Sequence, residues 1–177
     1  KTGLHLEYCK KNGYFNKQQN NEICRSFVFR AKDFCKEHTV CCFILHSKLL
    51  YNQKKPSKRF RNFLLNKTKI HSIIEMSSVR KLVFENADAP AVIISFSYSE
   101  ENNLDNIINY TSIKPNIFFK LFNVIVIEKN DIKYVAQNML IRFDWAWKTI
   151  VYGFSADLTL VMKLKNCFCT ISDAIEK

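Results

Sequence analysis

Hydrophobic and polar positions follow a clear period in the first part of this chain. Residues 1–21 are polar and rich in Asn and Lys, which predicts a loop. From Glu22 onwards, apolar residues recur at steps of three and four and predict a helix with one apolar face. That face would consist of Ile23, Phe27, Ala31, Phe34 and Cys35. Pro56 fits the first turn of a second helix, because a missing N–H costs nothing there.

Three apolar runs have the length and composition of strands, at residues 40–45, 70–76 and 91–98. The second helix separates the first two runs, so these strands are expected to be parallel through a right-handed crossover. Residues 77–90 are too few and too polar for a long crossover helix. The last two strands are therefore expected to be antiparallel neighbours.

The pattern changes after residue 99. Residues 100–109 are acidic and Asn-rich, which predicts a linker. Residues 124–127 have the composition of a strand, and short helices are predicted near residues 145–152 and 155–165. The predicted fold class is α/β, with an α/β region at residues 1–110 followed by a small α+β segment at residues 111–177.

The distribution of charge adds a candidate partner. The formal net charge is +11, yet no acidic residue lies between Glu37 and Glu75. The basic residues of that interval are Lys48, Lys54, Lys55, Lys58, Arg59, Arg61, Lys67 and Lys69. A one-signed stretch inside a patterned domain favours contact with the phosphates of a nucleic acid. A solvated basic surface is the alternative.

Several functional classes are disfavoured by what the chain lacks. No apolar run approaches the roughly 20 residues of a membrane span, and no signal peptide opens the chain. The seven cysteines include no pair of Cys-x-x-Cys motifs that could close a metal site. We therefore expect a reduced, cytoplasmic protein without a metal or a membrane partner. Because the chain opens on Lys1 rather than Met, it is expected to be a fragment.

Two segments resemble adenine-specific DNA methyltransferases. Residues 43–50 (FILHSKLL) and 58–65 (KRFRNFLL) are similar to a strand ending in Ile-Leu-Pro-Ser and a helix of the form Phe-Arg-x-Phe-Leu-Leu. Residues 73–94 resemble the motif-VIII region of that family, and residues 145–153 (WAWKTIVYG) look like the entry to its target-recognition domain. The resemblance spans residues 22–177 and is closest to combined restriction–modification enzymes.

The resemblance implies a specific fold and a missing half. Residues 1–110 would be the C-terminal half of a class I, Rossmann-like methyltransferase sheet with an antiparallel last strand. Residues 111–177 would lead into the target-recognition region. The family binds S-adenosylmethionine at a Gly-containing turn and holds the target amine with an Asn-Pro-Pro-aromatic motif. This chain has three glycines, none in such a turn, and no adjacent prolines. His46 also stands where relatives have Pro.

The resemblance also implies roles for particular residues. Phe84 matches the motif-VIII aromatic that stacks on the extruded base, although a hydrophobic plug is the alternative. Candidate DNA contacts are Ser47, Lys48, Asn52, Lys54, Lys55, Lys58 and Arg59. No residue of this chain is expected to be catalytic or to bind the cofactor.

These inferences combine into one functional expectation. The chain would be a fragment, inactive alone, of an enzyme that transfers methyl from S-adenosylmethionine to the N6 amine of adenine in DNA. Its partners would be DNA and the missing N-terminal half of the same enzyme. The alternatives are a non-catalytic basic nucleic-acid-binding module and a structural remnant.

Overall fold

A single mixed sheet organises the chain in a computed structural model, which describes residues 3–14, 23–84, 86, 89–99, 105–169 and 175. The strands are β1 (Val40–His46), β2 (Thr68–Glu75), β3 (Ala91–Tyr98), β4 (Ile107–Ser112) and β5 (Ile132–Ala136). Their order across the sheet is β1-β3-β2-β4-β5. This mixed α/β fold is consistent with part of a Rossmann-like sheet, which confirms the predicted fold class.

The strand directions agree with the predicted pairing, with one difference. β3 is antiparallel to both β1 and β2, β4 is parallel to β2, and β5 is antiparallel to β4. The predicted antiparallel pairing of the second and third strands is therefore confirmed. β1 and β2 run in the same direction, as expected, but β3 lies between them.

Helices precede, separate and follow the strands. They are α1 (Leu4–Lys11), α2 (Ile23–Ala31), α3 (Lys48–Tyr51), α4 (Lys55–Lys67), α5 (Arg80–Val83), α6 (Ile117–Phe122), α7 (Gln137–Arg142), α8 (Ala146–Tyr152) and α9 (Ser155–Cys167). Single 3₁₀ turns span Lys32–Phe34 and Lys129–Asp131. The second predicted helix corresponds to α4, and the two predicted near the C-terminus correspond to α8 and α9.

The strands have one face in the core and one face largely outside it. Side chains alternate along a strand, so Val92, Ile94 and Phe96 of β3 point into the core together. Ile70 and Ile73 of β2 also point inward, because the register shifts between Ile70 and Ser72. The helices that supply the other core residues include α2, α3, α4, α7 and α8. On the opposite face, Val40, Ile44, Ile107 and Tyr134 are exposed.

The N-terminal loop prediction is wrong for residues 4–11, which form α1. Cys9 is fully buried in the main core cluster, and the Tyr8 hydroxyl donates to Asp33 Oδ2 at 2.9 Å. These contacts involve residues that are distant in sequence, so the polar sequence of residues 1–21 does not indicate a helix there. Residues 15–21 of the predicted loop lie outside the described part of the chain.

The helix predicted from Glu22 is present, but its buried face differs from the prediction. Ile23, Phe27 and Phe34 are exposed, whereas Val28 and Phe29 are buried. The Phe29 ring lies 4.6 Å from that of Phe63 in α4, centroid to centroid. Apolar residues occur on both sides of this helix, so periodicity alone did not identify the face that packs.

Two predictions beyond residue 99 are wrong. Part of the predicted linker at 100–109 belongs to β4, which begins at Ile107, and residues 100–104 lie outside the described part. Residues 124–127 form no strand, and most of their side chains are exposed. The strand in this region is β5, which pairs with β4. The proposed boundary between residues 110 and 111 falls inside β4, and the division into two regions stays a prediction.

Candidate functional site

Three strands end at one edge of the sheet, which we call the carboxyl edge. β1, β2 and β4 run in the same direction, so His46, Glu75 and Ser112 end their strands there, and β3 begins there. The segments that leave this edge carry both Phe84 and the loop that leads into α4. Open α/β sheets bind their ligands outside the carboxyl ends of the strands. The geometry thus brings the two predicted parts of the site to the same edge.

The start of α4 provides the basic part of this edge. Pro56 lies in the first turn of α4, as predicted, and the side chains of Lys54, Lys55, Lys58 and Arg59 are exposed around it. The positive end of the helix dipole adds to their charge. Lys58 Nζ lies 3.7 Å from Asp144 Oδ2, a partly exposed pair that offsets some of the charge. Four cations at a helix start suit an anionic ligand.

The segment before α4 contains the other predicted DNA contacts. Lys48 is exposed in the first position of α3. Asn52 is half-buried, and its Oδ1 accepts from the Lys54 N–H at 2.9 Å. Asn52 therefore shapes the loop that presents the lysines, whereas Lys48 is free to meet solvent or a ligand.

Ser47 is placed differently from the prediction, because it is fully buried. Its Oγ lies 2.7 Å from Ser77 Oγ, and its N–H donates to the Pro90 carbonyl at 2.9 Å. The Ser47 side chain therefore connects two segments of the protein and is not accessible to a phosphate. We therefore remove Ser47 from the direct DNA contacts.

Glu75 is the buried acid beneath this edge, and the sequence patterns did not single it out. Its Oε1 accepts from the Ser77 N–H at 2.9 Å and from the Ser77 hydroxyl. Burial raises the pKa of Glu75, and hydrogen bonds from Ser77 and Ser47 oppose that rise. Its inward position follows from strand alternation, since Ile73 two residues earlier is also buried.

Phe84 ends the short segment that follows β2. Its N–H donates to the Arg80 carbonyl at 2.8 Å at the end of α5. The half-buried ring packs against a small hydrophobic cluster built on Met76, Val79 and Ile113. Phe84 is thus partly packed in this cluster and partly exposed, a position compatible with both the stacking role and the plug role.

Arg61 does not belong to the basic surface to which the sequence pattern assigned it. Its side chain is completely buried, and Nη2 lies 2.5 Å from Asp144 Oδ1. Nη1 donates to the carbonyls of Leu49 at 3.0 Å and Asn52 at 2.8 Å. The guanidinium therefore fixes the loop before α4. No local pattern links Arg61 to an acid 83 residues away.

A second buried polar group lies under α8. Tyr110 of β4 and Lys133 of β5 are paired in register, and both are buried. Lys133 Nζ donates to the Ile150 carbonyl. Burial and the charge of Lys114 lower the pKa of Lys133 to about 8. Tyr110 Oη has no hydrogen-bond partner among the described residues. The interior next to Glu75 is therefore unusually polar.

The residues present do not fit a methyl-donor site. The chain has only Gly3, Gly13 and Gly153, and none follows a strand at the carboxyl edge. Gly13 alone has a left-handed conformation, with φ of +72°, and it follows α1. Within the described ranges, no cluster of three or more His, Cys, Asp or Glu is arranged for a metal ion. The helices described there are too short or too polar to cross a bilayer.

Comparison with known families gives a match over part of the chain. Residues 1–84 match the family model described as Eco57I restriction-modification methylase. No curated protein matches this chain. The match begins earlier than the predicted resemblance over residues 22–177 and ends at Phe84. It therefore includes β1, α4 and β2, and it supports a restriction–modification methylase family for the segment that carries the basic helix and Phe84.

Proposed function

We propose that this chain is part of an adenine-specific DNA methyltransferase of restriction–modification type. The observation that carries the proposal is the carboxyl edge, where the loop that leads to the basic start of α4 and the segment bearing Phe84 both leave the sheet. Both features lie within residues 1–84, the range that matches the restriction–modification methylase model. An edge of this kind suits an enzyme that grips a duplex and acts on a base taken out of it.

The proposed roles follow from exposure and chemistry. Lys48, Lys54, Lys55, Lys58 and Arg59 contact phosphates, which positions the duplex without reading its sequence. The accessible side of Phe84 stacks on the extruded adenine. S-adenosylmethionine and the group that holds the target amine belong to residues outside this chain. The chain alone is therefore proposed to be inactive.

The proposed protein partner is the other half of the same enzyme. β1 is an edge strand, and no strand among the described residues pairs with its outer side. Val40 and Ile44 are exposed on the face that the described helices leave open. An exposed edge with apolar side chains is a site for pairing with a further strand. We propose that the N-terminal half of the enzyme supplies that strand.

The first test measures duplex binding by this chain at several salt concentrations. We expect weak binding that is indifferent to sequence and falls steeply with salt, because lysine–phosphate contacts release counterions. Replacing Lys54, Lys55, Lys58 and Arg59 together by Ala should reduce the slope of log K against log salt. The expected reduction is about 0.9 for each phosphate that the variant no longer neutralises.

A matched control separates the site from net charge. Replacing Lys10, Lys11, Lys36 and Lys163 by Ala removes the same charge from exposed positions outside α4. This control should leave the slope close to that of the unchanged chain. Equal slopes for the two quadruple variants would mean that α4 is only a solvated basic surface. The alternative, a non-catalytic binding module, predicts the same difference in slope between the two quadruple variants as the proposed enzyme does. It differs in predicting no methyl transfer by the full-length protein.

A further inference from the structure

We propose that Glu75 is a positioning residue whose buried carboxylate, through Ser77, fixes the segment that carries Phe84 against the segment that leads to α4. The expected effect of Glu75 on catalysis rests on the proposed function. Its structural part concerns only the described contacts of Glu75. No sequence pattern or family match assigns a role to this residue.

The carboxylate of Glu75 holds the turn that follows β2. Only 3% of the residue is exposed, and Oε1 receives both the N–H and the hydroxyl of Ser77. A carboxylate that accepts two hydrogen bonds from one residue fixes both the backbone and the side chain of that residue. Ser77 therefore has a single orientation as the chain leaves the sheet.

Ser77 extends this link to two neighbouring segments. The Ser77 hydroxyl oxygen also lies 2.7 Å from the hydroxyl oxygen of Ser47, and either hydroxyl can be the donor in this contact. Ser47 is the first residue after β1, and its carbonyl accepts from the Leu50 N–H at 2.9 Å in α3. The exits of β1 and β2 are thus connected through the acid.

The same serine supports the helix that ends at Phe84. Arg80 Nη1 donates to the Ser77 carbonyl at 2.8 Å, and α5 begins at Arg80. Phe84 lies only seven positions after Ser77, and the Phe84 N–H is bonded to the Arg80 carbonyl. A shift of Ser77 would therefore move α5 and the Phe84 ring with it.

The free-energy cost of burying the Glu75 carboxyl favours a functional reason for its position. Glu75 Oε2 is buried and has no hydrogen-bond partner in the described part of the chain. Burying an acid with an unpaired oxygen is unfavourable, and an apolar side chain of similar volume would avoid that cost. Burial raises the pKa of Glu75, and acids perturbed by burial are enriched at functional sites.

The first experiment measures amide hydrogen exchange in this chain and tests the positioning directly. Glu75→Leu keeps the volume but removes both acceptors, and we expect exchange of the amides of residues 79–84 to accelerate about tenfold. Glu75→Gln retains Oε1 and should exchange like the unchanged chain. Ser112→Ala is the control, because it removes a buried 3.1 Å hydrogen bond to Val151 at the position paired with Glu75. It should leave residues 79–84 unaffected.

The second experiment uses the full-length methyltransferase with unmethylated phage DNA. We expect Glu75→Leu to lower kcat by about 10- to 100-fold with little change in KM for DNA, because displacement of a positioning group by about 1 Å has effects of this size. Glu75→Gln should restore kcat. Combined with Phe84→Ala, Glu75→Leu should add little further loss, because both act through the same ring.

The two experiments separate the inference from the proposed function. Unchanged exchange at residues 79–84 in Glu75→Leu would overturn the positioning role, whether or not the enzyme methylates DNA. Full-length protein that transfers no methyl group would overturn the proposed function, while the exchange data would still decide the role of Glu75. If Glu75→Leu fails to fold, Ser77→Ala removes the hydroxyl that joins Glu75 to Ser47. Normal exchange in that variant would refute positioning through Ser77.

Discussion

At the scale of single residues, Phe84 shows how one side chain can satisfy two explanations. Its ring packs against the cluster of Met76, Val79 and Ile113, as a plug would, but it is only half-buried. A stacking residue needs one accessible aromatic face and a firm support behind the other. The half-buried position of Phe84 is compatible with both roles, so measurements of rate and of stability must be made on the same variant.

In the full-length enzyme, Phe84→Ala should weaken transition-state stabilisation by the roughly 1–3 kcal/mol of a base stack. Phe84→Trp should retain much of the rate, because any flat ring presents a π-face. The measurements are the methylation rate, the fluorescence of 2-aminopurine at the methylated position, and the melting temperature. A plug predicts the opposite: a stability loss of about 3–5 kcal/mol with normal methylation by the folded fraction.

At the scale of elements, the loop between β1 and α4 is held by a charge pair from the far end of the chain. Arg61 projects from α4, contacts Asp144 just before α8, and donates to two carbonyls of residues 49–52. This arrangement fixes the orientation of the helix whose first turn carries the basic residues. The rigidity of the proposed DNA contact therefore depends on residues outside the matched segment.

We expect Arg61→Ala to lower the free energy of unfolding by about 1–3 kcal/mol for each buried acceptor left unpaired, because it removes the donor to the buried Leu49 carbonyl and the nearer partner of Asp144. Urea denaturation monitored by circular dichroism measures this loss. Arg59→Ala, on the same helix but exposed, is the control and should change stability by no more than about 0.5 kcal/mol. Similar losses for the two variants would show that the buried pair does not secure α4.

At the scale of the whole molecule, the proposed division of roles places the DNA contacts on this chain and the methyl donor outside it. The carboxyl edge bears cations and an aromatic ring, whereas the three glycines lie away from the ends of the strands. The open side of β1 offers a place for a further strand. The chain is therefore expected to depend on another polypeptide segment for chemistry.

Titration calorimetry of this chain with S-adenosylmethionine should give no measurable heat of binding, because the chain has no Gly-containing turn at the carboxyl edge. The full-length enzyme should bind the donor under the same conditions and serves as the positive control. A stoichiometric, low-micromolar site on this chain alone would contradict the division of roles proposed for the two halves.

The sequence by itself determined the elements in which the hydrophobic pattern matches the side chains that are buried in the structure. β1, β2, β3 and α4 were predicted to within about two residues, and α8 and α9 were also found. In β2 and β3 an apolar run coincides with burial between neighbouring strands, so the local signal reports the tertiary environment. The exposed lysines at the start of α4 followed from the acid-free stretch, because charged side chains without a partner stay in water.

Only the tertiary structure decided the features that depend on distant residues. α1 exists because Cys9 is buried against the core, and the packed face of α2 is chosen by contacts such as Phe29 with Phe63. β4 and β5 form because they extend a sheet begun by β2. Glu75 and Arg61 lie inside because partners from other segments satisfy their charge. Such contacts leave no periodic trace, since their energy comes from residues that are far apart in the chain.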